Sequence, residues 1–511
     1  MIHRVFAGVG ISTITIIFNL AAQLVAVPIF LTHWGQEIYG EWLTLTSLVA
    51  GISILNLGVQ TYVGNILIAH YERKEIERGT LILHAALRLY LTLCGLAVAV
   101  TFGLVLFPSL LEWLNIHTIK GFDARTIVLV QGAIASYAIL GGLLLGLLRV
   151  TRQVPRQLTY GLVERVIIIG APVIVVLLGG QPVVASLAVG ALIAIVASVA
   201  VRDVWRRTPF RLGISGASWR DARALLKPSV VFLAVTLAAQ LLSNGMILII
   251  STGIGAAAVT LYSTTLMLTN FVRIIVNQSL NVLWPEVTAA AATAEAGRLM
   301  RWHRLIVKLV SGLSLIIAAG LMVLGSEVLA VWTRGKVPVD PLLNILLTLY
   351  LLIEAPSLVS GMFGLATNHQ GDMFRADLGT AIVAVVIAIL LVPTIGLRGV
   401  GVGLVIAQVV NTMWVMRMSC EWTGDTWPVL LEQWLIRGLP AFISTAVFVA
   451  GISVLQLSIV GQLAGLGVAI VVCVGLGWTI WLNAEERQTF LNIIRSVSNR
   501  ISVNRVDRTV S

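Results

Sequence analysis

The chain has 511 residues, of which 58% are hydrophobic and only 11% are charged. About a quarter of the residues in an ordinary globular domain are charged, so this composition excludes a soluble protein and indicates an integral membrane protein. The formal net charge of +11 does not indicate nucleic-acid binding, because the basic residues fall in short segments between apolar runs.

Apolar runs of about 20 residues, the length needed to cross about 30 Å of hydrocarbon, recur along the chain. They predict fourteen membrane-spanning helices, numbered as spans 1 to 14 in chain order. The predicted spans are 6–31, 42–70, 80–107, 125–149, 159–179, 183–201, 229–252, 255–285, 305–325, 342–366, 376–392, 400–418, 437–457 and 462–482. The first run has no small-residue cleavage site, which predicts a retained helix rather than a signal peptide.

The basic residues predict which ends of the spans face the cytoplasm. With the N-terminus inside, most of the 34 Lys and Arg residues fall on the cytoplasmic side, seven of them between Arg202 and Lys227. The opposite side then holds only Lys120, Arg125, Arg334, Lys336 and Arg398. Membrane proteins are oriented by this bias, so both termini are predicted to be cytoplasmic.

Two parts of the chain, 217 positions apart, share a pattern that indicates an internal repeat. The string LAAQL occupies 20–24 and again 237–241. The same offset relates three polar residues of span 2 to three polar residues of span 8. These pairs are Ser53 and Asn270, Asn56 and Arg273, and Gln60 and Asn277. Because an even number of spans separates the copies, both should have the same orientation, related by a pseudo-two-fold axis along the membrane normal.

The predicted fold class is therefore an all-α integral membrane protein with about 14 transmembrane helices in two six-helix lobes and an additional C-terminal helix pair. The predicted parts are an N-terminal lobe at 1–201, a basic cytoplasmic linker at 202–228, a C-terminal lobe at 229–418, a helix pair at 419–482 and a basic cytoplasmic tail at 483–511.

Polar side chains inside the spans are candidates for a substrate cavity, because charged or amide groups that face lipid are costly. The candidates are Asn19, Gln23, Ser53, Asn56, Gln60, Gln240, Asn244, Asn270, Arg273 and Asn277. Hydrogen bonds between helices, worth about 0.6 kcal/mol each, account for the amides equally well. Arg273 is the strongest candidate, since a guanidinium at mid-depth requires an acidic neighbour or an anionic ligand.

Two other charged residues have open interpretations. Glu354 in span 10, interpreted as the only acid near mid-membrane in either lobe, is a candidate partner for Arg273 or a coupling site for a proton or cation. Arg88 in span 3 is a candidate for attracting anions, although snorkelling to the inner interface is the favoured interpretation. The three cysteines have neither metal-ligand nor disulfide spacing. No metal, cofactor or catalytic residue is predicted.

The segment from Val27 to Asn65, VPIFLTHWGQEIYGEWLTLTSLVAGISILNLGVQTYVGN, resembles the N-terminal signature of the polysaccharide exporters, the Wzx-type flippases of lipid-linked oligosaccharides. The matching positions are Pro28, Gly35, Tyr39, Gly40, Trp42, Leu55, Asn56, Leu57 and Gly58. Asn56 departs from the aspartate that the family often has, so the resemblance implies no titrating group at that position. Trp34, Tyr39 and Trp42 are predicted to contribute to the aromatic belt at the outer membrane interface.

The wider superfamily includes lipid II flippases and multidrug and toxin extruders, and the resemblance implies two bundles around a cavity that opens to alternate sides. Fourteen spans and an arginine in span 8 are similar to the lipid II flippases. The implied function is non-enzymatic transfer of a polyprenyl-diphosphate-linked oligosaccharide from the inner to the outer leaflet of a bacterial or archaeal cytoplasmic membrane, for cell-surface polysaccharide biosynthesis.

The partners implied are the lipid-linked substrate, membrane lipids and polysaccharide assembly machinery, without nucleic acid. A multidrug-type, cation-coupled antiporter and a lipid II-type flippase remain alternatives. A sugar polymerase or ligase is disfavoured, because the outer loops are too short for a catalytic domain.

Overall fold

The computed structural model describes residues 2–52, 59–226, 236–292, 296–367, 369–432, 434, 439–454, 461, 467–468, 482 and 484–488. Within these ranges all regular secondary structure is helical, which confirms the predicted fold class. The main helices are α1 (Ile2–His33), α2 (Gly35–Ala50), α3 (Val59–Glu72), α4 (Ile76–Leu106), α5 (Gly121–Val150), α6 (Val154–Leu177), α7 (Pro182–Arg207), α8 (Thr236–Gly253), α9 (Ala256–Ala292), α10 (Ala296–Trp332), α11 (Pro341–Ala366), α12 (Gln370–Ile395), α13 (Leu397–Thr423) and α14 (Leu439–Val454).

Nine helices, counted among the described residues alone, are long and apolar enough to cross a membrane: α4 to α8 and α10 to α13. Predicted spans 1, 8 and 13 coincide with α1, α9 and α14, and span 2 is divided between α2 and α3. Span 14 lies almost entirely outside the described residues. The count of fourteen therefore stays a prediction.

α10 begins well before the predicted span at 305–325 and is 37 residues long, about 55 Å. Its early part carries Arg304 and Lys308, which the distribution of basic residues predicts to lie on the cytoplasmic side. In the structure these residues are paired: Arg304 Nε donates to both carboxylate oxygens of Asp425 at 2.9 Å, and Lys308 Nζ lies 2.9 Å from Glu486 Oε2. A hydropathy profile cannot detect these pairs, so the helix start was placed too late.

The chain divides into two compact units, Met1–Thr260 and Leu261–Ser511, with the division inside α9. This point lies later in the chain than the predicted linker at 202–228. The reason is that α8 and the first turn of α9 contact α2 and the α1–α2 turn inside the first unit: Gln36 Nε2 donates to the Ala257 carbonyl at 2.9 Å, and Thr260 donates to the Gln36 carbonyl at 2.8 Å. The pair of symmetric six-helix lobes stays a prediction.

In the first unit, α1 packs along α6, and α5 lies against α3, α4 and α7. Large apolar side chains such as Val98 and Phe102 on α4 remain exposed, as expected for helices that face lipid. In the second unit, α11 is enclosed by α10 and α13, and α13 also packs against α12. The enclosed position of α11 allows it to hold polar groups away from lipid.

The α1–α2 turn differs from its prediction. Trp34, Tyr39 and Trp42 are at most 8% exposed, so they do not form a lipid-facing belt. Phe30 stacks on Trp34 and on Tyr39, with ring centroids 5.2 and 5.5 Å apart, and Trp34 Nε1 donates to the Gly180 carbonyl at 2.9 Å. The aromatics pack one end of the first unit, and hydropathy alone cannot distinguish such packing from an interfacial belt.

The predicted cytoplasmic linker is ordered over its described part. α7 extends to Arg207, and a short helix at Trp219–Ala224 is stabilised by a capping box between Ser218 and Asp221. Arg88 on α4 donates to the Ile214 carbonyl at 3.1 Å and so holds the segment between these helices.

Candidate functional site

Arg273 on α9 and Glu354 on α11 form an ion pair inside the second unit. Arg273 Nε lies 2.7 Å from Glu354 Oε2, and Nη2 contacts the other carboxylate oxygen, so the pairing is bidentate. The same Nη2 donates to the Tyr350 hydroxyl at 2.8 Å. The sequence left the partner of Arg273 open, and the structure identifies it as Glu354.

The two members of this pair differ in exposure. The side chain of Glu354 is 11% exposed, whereas 32% of the Arg273 side chain remains accessible. Burying an ion pair costs desolvation energy that good geometry must offset, and the bidentate contact with the additional Tyr350 bond provides that geometry. About a third of the Arg273 side chain therefore remains accessible to a ligand.

A polar network from two other helices surrounds Glu354. Ser357 donates to the Glu354 carbonyl at 2.7 Å and accepts from Gln408 Nε2 of α13 at 3.1 Å. Thr412 of α13 donates to the Ile353 carbonyl at 2.7 Å. Asp377 on α12 lies close enough to interact electrostatically with both Glu354 and Tyr350. The second unit therefore places one cation and two carboxylates within a single enclosed cluster.

Asn270 and Asn277 lie on α9 about one turn before and one turn after Arg273, on the same helical face. Both are half-buried. The structure thus brings three of the predicted site residues onto one polar stripe beside Glu354. The amides at either side of Arg273 extend the stripe in both directions along the helix.

The first unit contains an open cavity of about 450 Å³ between α1, α3, α5 and α6. Its polar lining comes from Thr15, Gln60, Gln157 and Arg165. The predicted site residue Gln60 donates from Nε2 to the Gly142 carbonyl at 2.7 Å, which fixes the orientation of its amide. The oxygen of that amide is left to accept hydrogen bonds from a ligand.

The repeated polar positions of α1 and α8 have different surroundings. Asn244 Nδ2 donates to Gln240 Oε1 at 2.5 Å, on a π-helical segment at Leu241–Gly245. π-Helical segments are rare in proteins, and those that occur are often found at functional sites. On α1, Asn19 has an enclosed amide oxygen with no partner among the described residues, and Gln23 is half-buried. The orphaned oxygen of Asn19 is the kind of group that a bound polar ligand or water would satisfy.

Besides the four polar residues of α1 and α8, three more predicted site residues are not placed in the Arg273–Glu354 cluster or in the cavity of the first unit. Ser53 and Asn56 lie outside the described residues. The Arg88 guanidinium donates to the linker backbone, and His84 beside it accepts from the Gly216 backbone N–H at 3.2 Å and bonds the Arg211 carbonyl at 3.0 Å. The structure therefore gives Arg88 an anchoring contact, while its part in attracting anions stays a prediction.

Sequence reasoning missed two acids within the spans, and the interpretation of Glu354 as the only one is wrong. α6 begins at Val154 instead of 159, which puts Glu164 ten residues, about 15 Å, along the helix, where its carboxylate accepts from the Tyr137 hydroxyl at 2.8 Å. α12 begins at Gln370 instead of 376, which moves Asp377 inward. With helix starts at Val154 and Gln370, both acids would have been recognised as lying well inside their helices.

No family model matches the sequence, and no curated protein matches it. Solved structures do match. An inward-facing multidrug resistance MATE family transporter of the MOP superfamily has a TM-score of 0.61 at 16% identity, covering 81% of this chain and 96% of that chain. The lipid II flippase MurJ, in an inward closed conformation, has a TM-score of 0.70 at 12% identity, covering 92% of this chain and 99% of that chain.

The chain therefore shares its fold with these two membrane transport proteins. A MATE structure in its bent conformation matches less well, with a TM-score of 0.53 at 18% identity over 82% of this chain and 96% of that chain. At these identities the likeness establishes the fold, and function is argued from the residues.

Proposed function

We propose that this protein moves a polyprenyl-diphosphate-linked oligosaccharide from the inner to the outer leaflet of the cytoplasmic membrane, for cell-surface polysaccharide biosynthesis. The observation that carries this proposal is Arg273, a partly accessible guanidinium held inside an apolar helix bundle by Glu354 and Tyr350. Its planar fork is suited to the oxygens of a diphosphate.

The chemistry of the proposed substrate explains why a few charged groups within the helices suffice to move its head group across the membrane. The polyprenyl tail can remain in lipid while the head group crosses, so the protein has to supply a polar path and a cation for the diphosphate. Amides offer both donors and acceptors to sugar hydroxyls, as Asn270 and Asn277 do beside Arg273. No covalent bond has to be made or broken.

The cavity of the first unit supports a role in holding sugars. Its volume of about 450 Å³ lies in the range of ordinary small-molecule sites, and it is lined by two glutamines, a threonine and an arginine. A multi-sugar head group needs polar contacts over a longer distance than Arg273 alone provides. The proposed substrate path therefore includes Gln60 and its neighbours.

The fold comparison supports a flippase. The match to the lipid II flippase MurJ extends over 92% of this chain, whereas the MATE transporter with the TM-score of 0.61 covers 81%. A lipid II-type substrate has the same diphosphate and lipid tail and is the nearest alternative. The N-terminal signature favours an oligosaccharide as the head group, delivered by and handed to polysaccharide assembly machinery.

A cation-coupled multidrug antiporter is the second candidate, and two observations favour it. Glu164 and Asp377 are carboxylates within the spans, as a cation-coupled exchanger requires. A deletion strain distinguishes the two functions. Lipid-linked oligosaccharide trapped on the inner leaflet is expected, and normal surface glycan together with drug hypersensitivity would support the antiporter instead.

Substitution of Arg273 tests the site directly. Arg273→Ala should abolish export in a complementation assay, and Arg273→Lys should retain part of it, because an ammonium keeps the charge but not the bidentate geometry. The matched control is Arg417→Ala, which removes an exposed arginine from α13 and should leave export unchanged. Membrane insertion is checked by immunoblot, and full export with inserted Arg273→Ala would contradict the diphosphate contact.

A further inference from the structure

The guanidinium that should bind the diphosphate already has an anionic occupant. Glu354 takes both donors of the Arg273 fork, and Tyr350 accepts a further bond from Nη2. A carboxylate in this position makes the same kind of bidentate contact that a phosphate makes. A substrate anion can take the Nε/Nη2 edge of the guanidinium only by displacing Glu354.

We propose that Glu354 is a specificity residue: an internal competitor for Arg273 that admits a diphosphate and discriminates against anions of lower charge. This inference rests on the proposed function, because it concerns the anion that Arg273 binds. It assigns to Glu354 a role in selection, in place of the purely structural role that an ion pair suggests.

The competition favours Glu354 over any ligand that carries one negative charge. Glu354 is tethered within bonding distance of Arg273, so its effective concentration is on the order of millimolar or higher without any cost of association. A chloride ion offers little additional attraction to offset that advantage, and a phosphate monoester, with about 1.5 to 2 negative charges on one phosphate, offers less than a diphosphate does. A diphosphate brings more charge and more acceptor oxygens, so it can bind Arg273 in place of the carboxylate.

Asp377 raises the cost of displacing Glu354. Once released, Glu354 would be an unpaired carboxylate beside the negative charge of Asp377 in an enclosed site, an arrangement in which two carboxylates do not readily both stay ionised. Weak anions cannot meet that cost. Uptake of one proton by the two carboxylates would lower it, so binding should become tighter as the pH falls.

The described titratable groups around Glu354 indicate which side chains take up this proton. The neighbouring titratable and polar groups are Arg273 and Tyr262 on α9, Tyr350 on α11, Asp377 on α12, and Gln408 and Thr412 on α13. On α10, His303 is bonded to Ser360, and Lys308 is bonded to Glu486. Asp377 is the only carboxylate in this set besides Glu354 and the distant Glu486, so the two acids form the unit that takes up the proton.

The test compares two lipids that differ by one phosphate group, and therefore in charge and in the number of acceptor oxygens. The full-length protein in nanodiscs is titrated with undecaprenyl diphosphate and with undecaprenyl monophosphate, and binding is followed by tryptophan fluorescence. The wild type should prefer the diphosphate. Glu354→Gln should bind the monophosphate at least about tenfold more tightly than the wild type does, and its preference for the diphosphate should fall. Glu164→Gln, which changes a carboxylate of the other unit, should leave the preference unchanged.

A second variant keeps the ion pair intact and guards against a folding defect in Glu354→Gln. Asp377→Asn should tighten diphosphate binding, because the displaced Glu354 no longer meets a second negative charge. The pH dependence gives an independent reading: the wild-type affinity for the diphosphate should rise by up to about tenfold per pH unit lowered, relative to Glu354→Gln, which cannot take up the proton. The lipid phosphate titrates equally in both measurements, so comparing the wild type with Glu354→Gln cancels its contribution to the pH dependence.

The outcomes separate the inference from the function on which it rests. Binding of the diphosphate by the wild type, with the same preference and pH dependence in both variants, would overturn the role of Glu354 and leave the proposed function standing. If wild type and variants alike bind neither lipid, the proposed function itself fails.

Discussion

Glu41 is a buried carboxylate whose described partners are backbone N–H groups. Its side chain accepts from the N–H groups of His117 and Thr118 at 2.7 Å through Oε1, and from that of Ile119 at 2.6 Å through Oε2. The residue is 1% exposed. Hydrogen bonds to a charged acceptor are stronger than neutral ones, so these three bonds fix the loop at 117–119 onto α2.

Glu41→Gln should therefore destabilise the protein. The amide oxygen can keep two of the bonds, but the amide nitrogen then faces the Ile119 N–H, and two donors meet in a buried site. We expect a loss of about 2 kcal/mol or more and a lower melting temperature in detergent. Glu37→Gln, an exposed position on the same helix, is the control and should leave the melting temperature unchanged. Equal melting temperatures for the two variants would contradict the anchoring role.

The sequence could identify Glu41 only as a charge in an aromatic turn. Its three donors come from 117–119, far along the chain, and backbone donors have no signature in the sequence. Gly40 is similar: a side chain there would collide with the backbone of Ala256. Arg273 and Glu354, by contrast, were found from sequence, because an ionisable group within a span is costly and stands out without knowledge of its partner.

At the scale of elements, the start of α11 is set by one acid. Asp340 caps the helix by accepting from the N–H groups of Leu342 and Leu343 at 3.0 and 3.2 Å, and it pairs with Arg398 Nε at 3.0 Å. Burial acts to raise the pKa of the Asp340 carboxyl, but Arg398 and the backbone donors outweigh it, and the pKa lies below its ordinary value of 3.8.

A carboxyl group with a lowered pKa in the folded state stabilises the protein above its unfolded pKa, and this contribution is lost as the pH falls through the folded pKa. The wild type should thus be more stable than Asp340→Asn at neutral pH, and the difference should shrink below pH 3.8. In Arg398→Gln, Asp340 should still cap the helix, but the pH-dependent difference in stability that Asp340 causes should be smaller. Melting temperatures across pH 3 to 7 provide the measurement, and a difference that stays constant over this range would count against the ion pair.

The segment between α7 and Trp219–Ala224 is held by His84, which bonds both the Arg211 carbonyl and the Gly216 N–H. His84→Leu removes both bonds. We expect trypsin to cleave faster at Arg211 in this variant, because cleavage requires local release of the backbone. His33→Leu is the control, since the exposed His33 ring bonds only its own helix, at the Ile29 carbonyl. Unchanged cleavage at Arg211 would show that the linker is held by other contacts.

Element boundaries show where hydropathy is informative and where it is not. The apolar middle of each span was predictable, because a run of about 20 apolar residues is typical of a helix that crosses the bilayer. The ends were not, because α10 continues through Arg304 and Lys308, whose charges are matched by Asp425 and Glu486. The partners of these charges lie more than a hundred residues later, so only the folded chain shows that the charged turns are helical.

At the scale of the whole molecule, the repeat offset of 217 positions relates Arg273 to Asn56 and predicts from the sequence alone that Arg273 is a candidate site residue. What the sequence could not supply was the charge state of the site. The Arg273–Glu354 pair carries no net charge, and Asp377 adds one negative charge when ionised. The charge that crosses the membrane with the substrate therefore depends on the diphosphate and on any proton taken up.

This charge balance gives a prediction for transport by the complete protein. A diphosphate head group carries negative charge, and moving one elementary charge across 100 mV is worth about 2.3 kcal/mol, or about 50-fold in the equilibrium distribution. An inside-negative potential should therefore drive the head group outward. Proteoliposomes with a fluorescent lipid-linked oligosaccharide and a valinomycin-imposed potassium gradient allow the transfer to be measured with and without a potential.

Accumulation in the outer leaflet should rise with an inside-negative potential, while vesicles with Arg273→Ala should show neither transfer nor a response to the potential. If one proton accompanies the head group, the effect of the potential is smaller by one charge, and Glu354→Gln should restore it. Transfer that ignores the potential but follows an imposed sodium or pH gradient would instead identify a cation-driven exchanger, the mechanism for which Glu164 and Asp377 are the candidate residues.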